Sequence, residues 1–279
     1  MIFIVILLAL ATERFFDCSH LRRWDWFERY QQFLNPYVKS LPPYLLLASY
    51  IVPPALLVGI IEYILSGWFY GFLRFVFDFV VLLYCLGPQN LWAQLSGCLQ
   101  AMQKGDKKLV EQRAKAAFPF LPLKDSETLH QNLVRTIFVE GNYRIFAVIF
   151  WFAILGPLGA VLYRLTAILS EKGSAKSILT PYSNSALEVL DWLPARLLGL
   201  LFGLAGHFVQ TLNQWKKYVL QKPETNEILI AETGVASLDF SHTKHFPENG
   251  EPEKAAILLF DRTLIIMLVV SAAFVLITS

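Results

Sequence analysis

The sequence predicts an all-α fold: a polytopic membrane helical bundle with five or six spans and a cytoplasmic helical insertion. Of the 279 residues, 55% are hydrophobic and only 16% are charged, whereas a soluble domain carries about 25% charged residues. The apolar residues form long continuous blocks, as membrane helices do. We therefore expect a single integral membrane domain over 1–279 that sits in a lipid bilayer. The net charge of +2, without a basic stripe interleaved with aromatic residues, argues against nucleic acid as a partner.

Six apolar blocks are predicted to span the membrane, at approximately 2–16, 42–65, 68–87, 143–169, 187–208 and 256–278. The fourth contains an uncharged run from Ile145 to Tyr163. That run covers about 28 Å at ~1.5 Å per residue, close to the ~30 Å core of a bilayer. The first block is short, and we expect it to cross fully only if Glu13 and Arg14 lie among other helices; otherwise five spans remain. It lacks the basic start and the small-residue cleavage site of a signal peptide, so we interpret it as retained.

Several residues inside the later blocks predict local features of the spans. Pro53-Pro54 removes backbone donors from the second block and predicts a kink or a break there. Arg74 and Asp78 lie four residues apart in the third block, so they share a helix face and can neutralise each other. The fifth block carries a row of small residues at the spacing that lets helices approach closely in lipid, namely Ala195, Gly199 and Gly203.

The polar stretches between the blocks predict the orientation of the chain in the membrane. A helical insertion is expected at approximately 89–140, and a second polar loop at approximately 210–254. The stretches 13–40, 89–140 and 210–254 hold five, seven and five Lys and Arg residues, whereas 171–185 holds two. Because positive charge marks the cytoplasmic side, we expect the three rich stretches in the cytoplasm and both termini on the other side.

Common catalytic and metal-binding patterns are missing from the sequence. It has neither a GxxxxGK[ST] phosphate loop nor a GxSxG nucleophile motif. Cys18, Cys85 and Cys98 are too widely spaced for a zinc site or a disulfide framework. His242 and His245, with no third ligand at zinc spacing, are expected to lie in a loop. We assign no catalytic residue, metal or cofactor.

Ionisable residues in or near the spans are the strongest candidates for a site, because charge at bilayer depth is costly. One interpretation is that they pair with one another and fix helix packing. The other is a polar pocket, open to the cytoplasmic face, that binds a small anionic ligand through arginine side chains. The residues assigned to this candidate pocket are Asp125, Glu140, Asn142, Arg144, Arg164, Glu188, Asp191 and Arg196.

Ordered motifs give the chain a family resemblance from Leu91 onward. They are LQAMQKGDKKLVEQRAKAAF, Lys124-Asp125-Ser126, Phe150-Trp151, Gly156-Pro157-Leu158-Gly159-Ala160, Tyr163-Arg164, Glu188 and Pro194-Ala195-Arg196. With these motifs the sequence resembles the CobD/CbiB membrane proteins of cobalamin assembly, and more closely their AmpE relatives. Two carboxylate-bearing patterns of the synthases are replaced, by Tyr143-Arg144 and by the run 167–170. An ATP-using ligase needs carboxylates to hold Mg²⁺, so their replacement argues against cobinamide ligation.

The resemblance implies an inner-membrane regulatory or signalling modulator, tied to β-lactamase induction and cell-wall recycling and not to catalysis. It implies a bacterial inner-membrane location, and we expect a cell-wall-related molecule or a membrane or cytoplasmic protein as partner. A divergent CobD/CbiB-like membrane enzyme, performing ATP-dependent amide ligation or related nucleotide chemistry, remains the alternative. A transporter ranks third, because paired broken helices in an internal repeat are not evident.

Overall fold

The computed structural model describes residues 2–16, 22–38, 40–67, 71–87, 90–103, 107–118, 126–172, 179–238 and 250–278. Regular structure in these ranges is helical, without a strand, which confirms the all-α prediction. The helices are α1 (Ile2–Phe15), α2 (Asp25–Val38), α3 (Pro43–Leu65), α4 (Phe72–Cys85), α5 (Leu91–Gln103), α6 (Lys107–Ala117), α7 (Ser126–Gly141), α8 (Ala147–Lys172), α9 (Thr180–Ala205), α10 (Phe208–Tyr218), α11 (Asn226–Ala236) and α12 (Glu251–Thr278). A π-helical turn, Asn142–Phe146, joins α7 to α8, and a 3₁₀ turn, Pro223–Thr225, precedes α11.

Three helical runs among the described residues are long and apolar enough to cross a membrane. They are Pro43–Leu65, Leu129–Ser170 and Glu251–Ala273. The run Leu129–Ser170 comprises most of α7, the π-helical turn and most of α8. Membrane-helix character is thus confirmed, while the count of five or six spans stays a prediction.

The chain forms two compact units, each of two segments. The first unit comprises Met1–Pro88 and Ala147–Asp191, and the second comprises Gln89–Phe146 and Trp192–Ser279. In the first unit, α8 packs against α3 and α4, and α1 packs against α4. In the second unit, α7 packs against α11 and α12, α10 against α11, and α5 against α6.

Helix α1 carries a buried carboxylate, Glu13, whose partner is the guanidinium of Arg22. Both residues are buried, and they form an ion pair. Arg22 Nη1 also donates to the carbonyl oxygen of Gly87 at 2.8 Å. Full crossing by the first block is expected only if Glu13 and Arg14 lie among other helices. Glu13 meets this condition, whereas Arg14 is exposed.

Helix α3 continues through Pro53-Pro54, where the sequence predicts a kink or a break. A break is excluded, since the helix runs without interruption from Pro43 to Leu65. Proline at position 53 removes the donor that would bond the carbonyl of Ser49. The hydroxyl of Tyr30, on α2, donates to that carbonyl at 2.9 Å instead.

Helix α8 is interrupted at Gly156, which has φ 66° and ψ −155° inside an otherwise helical segment. A residue with a side chain rarely adopts this positive φ, and Pro157 adds a missing donor one position later. Three residues further on, a Cβ atom at Gly159 would lie 2.3 Å from the carbonyl oxygen of Trp151. The Gly-Pro-x-Gly motif therefore interrupts the helix at Gly156, and its second glycine leaves space for the Trp151 carbonyl oxygen.

The core of the second unit centres on aromatic side chains that meet glycines. Phe138, on α7, lies with its ring centroid 4.9 Å from that of Phe202 on α9. A Cβ atom at Gly234 would come within 2.3 Å of the Phe138 ring, and one at Gly141 within 2.6 Å of the Phe260 ring. These glycines let α11 and α12 pack closely on α7.

Candidate functional site

The residues of the candidate pocket fall in both compact units. The first unit holds Arg164, Glu188 and Asp191, and the second holds Glu140, Asn142, Arg144 and Arg196. Asp125 lies outside the described residues, as do Cys18, His242 and His245. Whether these residues share one pocket stays a prediction, and the geometry of each unit is given separately.

Arg144, in the π-helical turn, is held on several sides by groups of the second unit. Its Nε donates to Glu140 Oε2 at 2.6 Å, and its Nη1 donates to Gln94 Oε1 at 2.7 Å. Its Nη2 donates to the carbonyl oxygen of Ala117 at 3.3 Å. The guanidinium carbon lies 5.6 Å from the centroid of the Phe118 ring. The side chain thus connects α5 and the end of α6 to α7. These contacts agree with the interpretation that the ionisable residues pair with one another and fix helix packing.

The π-helical turn itself explains how Arg144 and its neighbour reach different partners. A π turn adds a residue to the helical repeat and rotates the side chains that follow it. Tyr143 donates from its hydroxyl to Glu227 Oε1 on α11 at 2.9 Å. Asn142 is fully buried.

Arg196, on α9, binds the end of α10 and the turn that follows it. It donates to the carbonyl oxygens of Val219 at 3.1 Å and of Gln221 at 2.9 Å. It also bonds to the Oδ1 of Asn226, and its guanidinium lies 4.5 Å from the Trp192 ring centroid. A cation is favourable beside the carbonyls at a helix C-terminus, so this arginine stabilises the α10–α11 connection.

In the first unit, the buried hydroxyl of Tyr163 donates to Asp191 Oδ1 at 2.8 Å. This bond joins the Tyr-Arg motif of α8 to α9. Arg164 and Asp191 are both buried, and Glu188 is half-buried. The Nε1 of Trp151, from the Phe-Trp motif, donates to the carbonyl oxygen of Leu190 at 3.2 Å. The motifs retained along α8 therefore fasten that helix to α9.

Three further ionisable residues of the first unit form a network beside an open cavity. Arg74 Nη2 lies 2.5 Å from Glu62 Oε1, and Arg74 Nε lies 3.7 Å from Asp78 Oδ2. The second contact confirms the predicted pairing of Arg74 with Asp78. The cavity, of about 470 Å³, is lined by residues of α3, α4 and α8. The sequence predicted the pairing of Arg74 with Asp78, but neither residue was assigned to the candidate pocket, and nothing in the spacing joins Glu62 to Arg74.

The second unit also contains a buried pair that no sequence pattern indicated. His130 Nδ1, on α7, lies 2.6 Å from Glu253 Oε1, on α12. The two residues are 123 positions apart, so only the packing of α7 on α12 brings them together. Among the described residues, no group of three or more His, Cys, Asp or Glu side chains is arranged to hold a metal ion.

A family profile with the description "Regulatory signalling modulator protein AmpE" matches residues 1–278. The chain belongs to the AmpE family. It is also similar to the "Cobalamin biosynthesis protein CobD" of Chromobacterium violaceum, with 27% identity over 167 residues, or 56% of this chain and 52% of that protein. The protein of the same name in Stutzerimonas stutzeri is 27% identical over 167 residues, which cover 56% of this chain and 54% of that protein.

The chain thus spans about half the length of the curated relatives that it matches. No solved structure matches it. The resemblance to AmpE proteins that the sequence motifs indicated is confirmed over the whole chain.

Proposed function

We propose that this AmpE-family chain is a multi-pass regulatory modulator of the bacterial inner membrane that acts in β-lactamase induction and cell-wall recycling without catalysing a reaction. The observation that carries the proposal is the family match over residues 1–278. The three helical runs that are able to cross a membrane support the location.

The proposed topology has five or six spans, with the insertion at 89–140 and the loop at 210–254 both in the cytoplasm. Contacts within the second unit support this arrangement. Arg135 of α7 bonds to Glu232 of α11 at 2.9 Å, and Tyr143 bonds to Glu227 at 2.9 Å. Segments that bond directly are expected on the same side of the bilayer. Green fluorescent protein fused after Phe118 and after Lys222 should fluoresce in both cases, and a dark fusion at either point would contradict the topology.

A modulator of this kind acts through a binding partner. We propose a membrane or cytoplasmic protein, with a small anionic or cell-wall-related molecule bound in the candidate pocket as its signal. The internal contacts of Arg144 and Arg196 support a role for these two residues in holding the helices of the second unit together. Arg164, Glu188 and Asp191, which lie in the first unit, remain the residues proposed to bind the ligand.

Complementation in a β-lactamase-inducible bacterium tests the regulatory role. The gene of this chain should restore normal induction to a strain that lacks its own AmpE protein. The same gene should leave a cobalamin-assembly mutant uncorrected. Restoration of cobalamin assembly, without an effect on induction, would contradict the proposal.

A divergent CobD-like membrane enzyme is the second candidate, favoured by the 27% identity to the CobD proteins. The places where the synthases carry a carboxylate pattern hold Tyr143 and Arg144 here, and both side chains bond to acids of the same unit. Purified protein in detergent, incubated with ATP and Mg²⁺, distinguishes the candidates. ATP hydrolysis that is abolished in Glu140→Gln, while that variant keeps its thermal stability, would favour the enzyme.

A further inference from the structure

An open groove lies in the first unit beside the interruption of α8. It encloses about 470 Å³, within the roughly 300–1,000 Å³ range of ligand pockets. One part of its wall is apolar and includes Leu56 and Ile60 of α3 and Leu155 and Leu158 of α8. The other part is polar and includes Glu62 and Arg74. The groove therefore has separate apolar and charged ends.

The charged end retains unused hydrogen-bonding capacity. Arg74 binds Glu62 through Nη2 and approaches Asp78 through Nε, which leaves its Nη1 without a hydrogen-bond partner among the described residues. The side chain of Arg74 is 40% exposed and that of Glu62 is 15% exposed. Glu62 Oε2 likewise has no partner in the described part of the chain. A donor and an acceptor of opposite charge thus face the same opening.

The position of Glu62 along α3 sets the depth of this charged end. It lies three residues before the end of a helix that is long enough to span a bilayer, or about 4.5 Å along the axis at ~1.5 Å per residue. Arg74 belongs to the first turn of α4. Leu56 lies six residues deeper on α3, or about 9 Å. The charged end is therefore at the level of lipid headgroups, and the apolar wall extends toward the acyl chains.

The interruption of α8 provides the room for Glu62. A Cβ atom at position 156 would lie 3.2 Å from Glu62 Oε2 and 3.4 Å from Oε1. A residue with a side chain at position 156 would crowd the Glu62 carboxylate. It would also be strained, because residues other than glycine rarely adopt a positive φ. The absence of a side chain at position 156 thus leaves room for the Glu62 carboxylate beside the interruption of α8.

We propose that this groove is a binding site for a zwitterionic phospholipid with an ammonium headgroup, as in phosphatidylethanolamine. Arg74 Nη1 receives the lipid phosphate, Glu62 Oε2 receives the ammonium, and an acyl chain lies along the apolar wall. With Asp78, the three ionisable side chains sum to −1 when all are charged. This balance favours a headgroup that brings a positive charge over a purely anionic one such as phosphatidylglycerol.

Lipid titration of the delipidated protein tests the site. Phosphatidylethanolamine should raise the unfolding temperature in detergent and remain bound in native mass spectra, whereas phosphatidylglycerol should do so at least about tenfold more weakly. Arg74→Gln should weaken phosphatidylethanolamine binding by about tenfold or more, since a hydrogen bond to a charged group is lost. Arg29→Gln, which changes an exposed arginine of α2 outside the groove, should bind as the unchanged protein does.

A second variant fills the groove without touching its charges. Ile60 is 59% exposed on the groove wall, so Ile60→Trp should fold and should block the acyl chain. Leu45→Trp changes a residue that is 45% exposed on the same helix but outside the groove, and it is the matched control. If Arg74→Gln does not fold, the difference in phosphatidylethanolamine binding between Ile60→Trp and Leu45→Trp tests the proposal. Equal stabilisation by both lipids, or unchanged binding in Ile60→Trp, would overturn the proposal.

Discussion

The hydroxyl of Tyr30 donates a hydrogen bond of 2.9 Å to the carbonyl oxygen of Ser49, the one that Pro53 deprives of its backbone donor. A side chain of α2 thus compensates for a proline in the middle of α3. Without such a donor, a buried carbonyl would cost about 1–3 kcal/mol. This relationship explains how α3 continues through Pro53 without a break.

Replacing Tyr30 by phenylalanine should therefore destabilise the protein by about 1–2 kcal/mol. The expected result is a lower unfolding temperature, measured by circular dichroism in detergent. Tyr44→Phe is the control, because Tyr44, in the first turn of α3, is 61% exposed and makes no hydrogen bond with the described residues. A loss as large in the control as in Tyr30→Phe would contradict the explanation.

Burial, and then the nearby Tyr50, raise the pKa of Tyr30 above its usual value of 10.0. Because the folded-state pKa is raised, the stability contributed by the protonated hydroxyl is complete below about pH 10. It is lost as the pH rises further, through the folded-state pKa. Urea unfolding between pH 7 and pH 11 should show a decline above pH 10 that is smaller in Tyr30→Phe. An equal decline in both proteins would assign it to other groups.

The contrast between two arginines of α7 and the π-helical turn gives a second test. Arg144 is buried and bonds to Glu140, Gln94 and Ala117, so Arg144→Gln should cost about 2–4 kcal/mol of unfolding free energy. Arg135→Gln removes an exposed ion pair with Glu232 and should cost less than about 1 kcal/mol. Chemical denaturation of the two variants in the same detergent measures both values. Similar losses would contradict the packing role of Arg144.

The interruption of α8 predicts which glycines tolerate a methyl group. Gly156→Ala should cost about 1–3 kcal/mol, because position 156 has a positive φ and Glu62 lies close by. Gly159→Leu should likewise lower expression and thermal stability. A Cβ atom at position 159 would collide with the Trp151 carbonyl oxygen, which belongs to an earlier turn of α8. Gly67→Ala is the control, since no atom lies within 4 Å of its Cβ position. An unfolding temperature of Gly159→Leu equal to that of the unchanged protein would contradict this explanation.

Cys98, on α5, should be unreactive in the folded protein. Burial, as the main cause, and Glu253 raise the pKa of its thiol above the usual value of 9.0, although Arg113 acts in the opposite direction. The thiolate is the reactive form, so N-ethylmaleimide at pH 7 should modify Cys98 only after denaturation. Peptide mass mapping follows Cys98 separately from Cys18 and Cys85. Rapid labelling of Cys98 before unfolding would mean that α5 opens readily.

The sequence was informative wherever the signal was local. The uncharged run from Ile145 to Tyr163 predicted a membrane helix, and the four-residue spacing predicted the contact of Arg74 with Asp78. The grouping of pocket residues used their depth in the predicted spans, and depth does not determine partners. Gln94 lies 50 residues before Arg144, and only tertiary packing brings such groups together.

The buried pair of Glu13 and Arg22 has a consequence for biosynthesis. Arg22 needs the carbonyl of Gly87 as well as Glu13, and 65 residues separate Arg22 from that carbonyl. While the ribosome is still making α2 and α3, Glu13 has only part of the environment that allows its burial. The complete set of contacts around Glu13 and Arg22 can therefore form only after the chain has been synthesised past Gly87.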